Sequence, residues 1–185
     1  MGAVARPNLA NEFDRSAIEQ ASCTIPTYSA TMVAGTPASS ATDIMTLTGS
    51  ATRTIKILRW VVSGLATSAG AFDFLLIKRS TANAGANTGL TEVPWDSRDA
   101  AATATGRQYT ANPTPGTAVG TVAAIKATLT TAAGGLVNVP TEYELVGPQH
   151  KPIVLRGTDE VLALNLNAVT ITGGAITSFV VWTEE

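Results

Sequence analysis

One cysteine, Cys23, and one histidine, His150, are all that this sequence holds of the two side chains most used to bind transition metals and to build nucleophilic sites. A lone cysteine excludes a disulfide framework within the chain, so folding does not depend on oxidation. Cys23 reads either as a small apolar residue or as a bridge between subunits. His150 follows the turn sequence Gly147-Pro-Gln149, and with Cys23 far away it offers neither a catalytic triad nor a His-rich metal site. Charge is scarce as well: 14% of residues are charged and the formal net charge is -2. The basic footprint of a nucleic-acid-binding protein and the polybasic patch of a membrane-surface protein are therefore both missing. No apolar run approaches the roughly 20 residues of a bilayer-spanning helix. Met1-Gly-Ala-Val-Ala-Arg-Pro7 has no apolar h-region, so no signal peptide is expected, and it lacks the Ser/Thr of a myristoylation motif. Walker loops, dinucleotide fingerprints and Gly-x-Ser-x-Gly elbows do not occur.

What the chain does have is Thr, Ala, Gly and Ser, with a hydrophobic share of 45% weighted toward Ala and Val. That composition suits close-packed strands joined by many turns. Leu162, Leu164 and Leu166 alternate with Ala163, Asn165 and Asn167, a period of two that puts leucines on one face of a strand and asparagines on a water-facing one. Gly173-Gly174 then leads into Ile176–Trp182, rich in β-branched and aromatic residues. Further strands are expected over 43–48, 52–62, 72–79, 118–131, 141–146 and 152–156. In the second of these the apolar set changes face, which predicts a bulge near Leu58 or a strand buried on both sides later in its course. About eight strands with Gly-rich turns and almost no helix predict an antiparallel two-sheet β-sandwich, jelly-roll-like.

Two stretches fall outside that pattern. Residues 1–40 read as an extended N-terminal arm ahead of a β-sandwich domain at 41–185, with a short helix within 8–22, because Pro26, Gly35 and Pro37 interrupt regular structure. Phe13, Ile18, Ile25, Tyr28 and Met32 are unusually apolar for a solvated tail, so the segment is either a flexible terminus or an arm that orders across a neighbouring subunit. The second stretch, Ser80–Pro115, is long and irregular, as functional or interface loops are, with a helical turn expected at 100–104. It carries Trp95 and Tyr109. With Phe13, Ile18, Tyr28 and Met32, these two complete the candidate partner-contact residues.

Chemistry-bearing pairs are few. Asp96 and Asp99 flank Ser97 and Arg98 without the spacing of a calcium loop, and an Asx turn with a local Asp–Arg pair accounts for them. Glu142 and Glu144 share one face of a strand, as a glycosidase's carboxylates would, but no aromatic cluster lies near them in sequence, so they read as solvated edge charges. No catalytic residue, metal site or cofactor is expected.

The combination of Ala41-Thr-Asp-Ile44, Thr48-Gly-Ser-Ala-Thr-Arg-Thr54, Leu76-Ile-Lys-Arg-Ser-Thr-Ala-Asn83, Asp99-Ala-Ala-Ala-Thr-Ala104, Tyr109-Thr-Ala-Asn-Pro113, Leu155-Arg-Gly-Thr158 and Leu162-Ala-Leu-Asn-Leu-Asn167 resembles small structural proteins of tailed bacteriophages, over roughly residues 40–185. The resemblance implies a non-enzymatic virion component made in the bacterial host cytoplasm. Its partners would be other virion proteins, the major capsid protein or neck and tail proteins, and it would be homo-oligomeric, binding neither nucleic acid nor membrane. A capsid decoration or cement protein is the leading expectation. A neck, collar, tail-tip or fibre component touching host surface sugars is the alternative, and a carbohydrate-binding jelly-roll module is the third.

Overall fold

The structure, a computed structural model, describes residues 25–131, 140–145 and 151–185. Twelve strands follow in chain order: β1 (Thr27–Gly35), β2 (Ala41–Thr48), β3 (Ile55–Leu65), β4 (Gly70–Arg79), β5 (Thr88–Gly89), β6 (Glu92–Pro94), β7 (Thr105–Gln108), β8 (Ala118–Leu129), β9 (Thr141–Glu144), β10 (Ile153–Leu155), β11 (Val161–Val169) and β12 (Ala175–Glu184). They form two antiparallel sheets packed face to face. The first runs β10-β3-β12-β1-β6, with β9 also on β3, and the second runs β5-β7-β2-β11-β4-β8. The long strands pair in a nested order: β4 with β8, β3 with β9 and β10, β2 with β11, and β1 with β12.

The leucines of β11 behave as their spacing predicts. Leu162, Leu164 and Leu166 are fully buried between the sheets, where each contributes roughly 1.5–3 kcal/mol of transfer free energy. Across the gap lie Trp60 and Trp182, also fully buried. The indole of Trp60 donates to Ser178 Oγ at 2.8 Å, and Ser178 Oγ donates to the Val61 carbonyl at 2.9 Å, so these polar atoms are satisfied within the core. The expected bulge is present: Val181 sits opposite Arg59 and Trp182 opposite Ile57, which leaves Leu58 unmatched. One hydroxyl joins the two sheets directly. Tyr143 on β9 donates to the Phe74 carbonyl on β4 at 2.5 Å, and burial pushes its phenol up to about 12. Tyr143→Phe is expected to lower unfolding free energy by about 1–2 kcal/mol, measurable by denaturant titration.

Three expectations are corrected. The segment 1–40 is not an arm throughout, because Thr27–Gly35 is an inner strand of the first sheet, flanked by β12 and β6. Tyr28, Ala30 and Met32 alternate into the core, while Pro26, Gly35 and Pro37 lie at or beyond the strand's ends and so do not disrupt it. Among the described residues the sandwich therefore begins at Thr27 rather than at residue 41. Within Ser80–Pro115 three short strands form, and no helical turn occurs at 100–104. The residues 8–22 expected to hold a short helix lie outside the described residues, as do Cys23 and His150.

Candidate functional site

The long segment 80–117 is held down by two buried carboxylates on different strands. The first is Asp43 on β2. Asp43 sits opposite Asn165, and Arg79 opposite Val161, all on the face of the second sheet turned away from the leucines. The Asp43 carboxylate accepts from Arg79 Nε at 2.7 Å and Nη2 at 2.8 Å, from Asn83 Nδ2 at 2.7 Å and from Asn165 Nδ2 at 2.6 Å. The remaining groups are used as well. Arg79 Nη1 donates to the Gly116 carbonyl at 2.9 Å, and the Gly116 amide donates to Asn83 Oδ1 at 2.9 Å. A side chain at residue 116 would run into the Thr81 carbonyl, so only glycine allows this approach. Four elements are thus locked by a bidentate ion pair that water does not reach. The face of β11 expected to meet water is in fact covered here. Asn165 is buried and engaged, and its Oδ1 accepts the Asn167 amide at 2.7 Å, whereas Asn167 itself is exposed.

The second carboxylate is Glu184, near the end of β12. It accepts from the Thr103 amide at 3.0 Å, the Thr103 hydroxyl at 2.6 Å, the Ala104 amide at 3.0 Å and the Trp182 indole at 3.0 Å. Burial alone would push this carboxyl up, but the donors from Thr103, Ala104 and Trp182 outweigh it and hold the group below its ordinary 4.5. Beside it, Tyr28 stacks on Trp182 with ring centroids 5.9 Å apart and donates to the Ala100 carbonyl at 3.0 Å. The irregular stretch is therefore tied at both ends, through Asn83 and Gly116, to β2 and β4, and within it, through Thr103 and Ala104, to β12.

Between these ties the chain presents Trp95, 62% exposed, immediately after β6. The strand register explains what Trp95 faces. Val93, Ser29, Val181, Arg59 and Glu144 form one row across five strands on the outer face of the first sheet. Cross-strand partners share a face, so Trp95, two residues beyond Val93, projects onto that same face. An open groove of about 380 Å³ results, lined by Leu58, Arg59, Trp95, Glu142, Glu144 and Val181. Glu142 pairs with Arg59 at 3.3 Å, and the Arg59 guanidinium lies over the Phe179 ring at 5.2 Å. An exposed pair of this kind contributes little to stability. The groove offers a flat aromatic face, an apolar floor, two carboxylates and one guanidinium.

The candidate contact residues separate accordingly. Trp95 is exposed and forms one wall of the groove. Tyr28, Met32 and Tyr109 are corrected: all three are buried in this chain's own fold and have no side-chain surface to offer a partner. Phe13 and Ile18 lie outside the described residues. Glu142 and Glu144 do share an exposed face, and the aromatic absent from their sequence neighbourhood arrives from β6. Asp96 makes the expected Asx turn, accepting from the Arg98 amide at 2.9 Å. Among the described residues no cluster of three or more His, Cys, Asp or Glu side chains comes together as metal ligands. Compared with known proteins, the chain matches no family model, no curated protein and no solved structure.

Proposed function

We propose that this chain is a non-enzymatic structural protein of a tailed-bacteriophage virion, most simply a capsid decoration or cement protein that bridges coat subunits. The observation that carries the reading is the use made of its buried charge. Asp43 and Glu184 are saturated by donors from the chain itself and spend their hydrogen-bonding capacity fixing a long surface segment in place. A pre-ordered surface loses little conformational entropy when it docks, which suits a protein that acts by contact and in many copies. The nested strand order supports a jelly-roll reading, an architecture that viral capsid proteins share with lectins. A specific observation favours a second reading, a neck or tail component. The Trp95 groove has an indole face and hydrogen-bonding carboxylates of the kind that would meet a host surface sugar.

The test is the protein's position and copy number in purified particles, by quantitative mass spectrometry and antibody labelling. Hundreds of copies on the shell are expected, a few dozen at the neck or tail would favour the second reading, and absence from particles would overturn both. A truncation lacking residues 1–24 belongs in the same experiment. It is expected to keep its β circular dichroism, since all twelve strands of the described residues are retained, and to lose attachment to particles. Normal attachment by the truncated chain would remove the arm from the mechanism.

A further inference from the structure

Sheet edges are a hazard, because their unpaired backbone groups template the addition of another strand. This fold shortens nearly all of its edges. In the first sheet the edge strands are β6, three residues ending in Pro94, with β9 at four residues and β10 at three on the other side. In the second sheet one edge is β5, two residues long. The opposite edge is β8, which runs for twelve residues and pairs only with β4 among the described residues.

The edge of β8 has two parts. At its start Ala118 sits opposite Arg79 and Gly120 opposite Lys78, then Thr121 opposite Ile77 and Ala123 opposite Leu76. Val119 and Val122 are left over as bulge residues, 65% and 45% exposed. Bulges of this kind bend an edge away from a flat partner. From Ala123 onward the register with β4 is unbroken. Residues 123–128 therefore form a straight edge in the second half of the strand, with no second partner strand among the described residues.

We propose that this edge is an interface between two copies of the chain, in which the segment 123–128 pairs antiparallel with the same segment of a second copy about a two-fold axis perpendicular to the sheet that passes through residue 125 or 126, so that cross-strand partners share a face. Two six-stranded sheets then become one continuous sheet of twice that width. The side chains favour a copy of this chain over an unrelated strand. Under that symmetry, core-facing Ala123, Ile125 and Ala127 meet one another, and exposed Ala124, Lys126 and Thr128 meet one another. Lys126 is the only charge in β8, and Asp73 of its own chain already neutralises it at 2.5 Å. It meets its own copy only if the axis passes through residue 126. Every other register sets it against a neutral side chain. Pairing of this length is weak alone and strong when repeated around a particle. The inference gives the assembly reading a physical contact, but it stands on the edge alone.

The test uses the full chain in sedimentation velocity across a concentration series. A monomer–dimer equilibrium is expected. Hydrogen exchange on the same samples should show the amides of 123–128 becoming more protected as the dimer forms. The double variant Ala124→Lys, Thr128→Lys puts like charges on both strands and should weaken dimerisation at least about tenfold, with unchanged melting temperature. The control pair Thr117→Lys, Val119→Lys carries the same added charge outside the straight segment and should leave the equilibrium unchanged. A chain that stays monomeric at every concentration overturns the proposal. So does a dimer that tolerates the edge lysines or shows no protection at 123–128, which would place the contact elsewhere, residues 1–24 included. Failure here leaves the virion reading standing, and absence from particles leaves the dimer standing.

Discussion

Replacing Asp43 with alanine is expected to cost about 3–5 kcal/mol of unfolding free energy, because it leaves a buried guanidinium without its carboxylate. Arg79 keeps one bond, to the Gly116 carbonyl, while Asn83 Nδ2 and Asn165 Nδ2 lose their acceptor. Such a loss is a large part of the 5–15 kcal/mol that holds a typical domain together. The damage should also be local. Residues 80–83 and 114–117 are fastened through Asn83 and Gly116, so their amides should exchange faster even under conditions where the sandwich stays folded. Asp43→Asn is the sharper comparison, since it keeps the volume and loses the charge. It is expected to fall between wild type and alanine. An Asp43→Ala protein within about 1 kcal/mol of wild type would mean that water replaces the carboxylate, contrary to its burial.

Glu184 governs the second large effect, seen against pH. Its carboxyl is held below 4.5 in the fold, and in the unfolded chain it returns to the ordinary range. The unfolded state therefore binds its proton first as pH falls. The stabilisation is complete above about 4.5 and is lost progressively as pH drops through the lower folded value. Protonation weakens the acceptor for Thr103, Ala104 and Trp182 together and should free the segment that Tyr28 also grips. Glu184→Gln is expected to be less stable near neutrality and to lose this acid-range dependence. Glu184→Ala, which strands several donors, should cost about 4 kcal/mol or more. Melting curves at pH 7, 5, 4 and 3 for the three proteins test this. Parallel acid slopes for wild type and Glu184→Gln would assign the sensitivity to another group.

The strands were legible wherever burial follows local alternation. Leu162, Leu164 and Leu166 announce β11, and the shift of apolar face near Leu58 announces a bulge that the pairing contains. β1 carried the same signal in Tyr28, Ala30 and Met32, but alanine is a weak marker of a core face, and the nearby prolines argued for a break. Asn165 was misleading for a different reason. Whether an amide faces water depends on its partner, and its partner Asp43 lies 122 positions away. The tie from Glu184 to Thr103 spans 81 positions and has no local signature either. The groove was least legible of all. Trp95 follows β6 and Glu144 ends β9, at opposite sides of one sheet, and only the register between those strands shows that the two residues share its outer face.

The nested pairing has a consequence during synthesis. Of these nested pairs, a chain emerging from the ribosome completes β4–β8 first, then β3 with β9 and β10, then β2–β11, and last β1–β12. Thr27 must wait for Thr183, a delay on the order of 10–30 s at bacterial translation rates. Through that interval the two halves of the first sheet, β3 with β9 and β10 on one side and β1 with β6 on the other, cannot join. β12 thus completes the first sheet at once, pairing with β3 on one side and β1 on the other. The same strand, β12, carries the carboxylate that then fastens the surface segment.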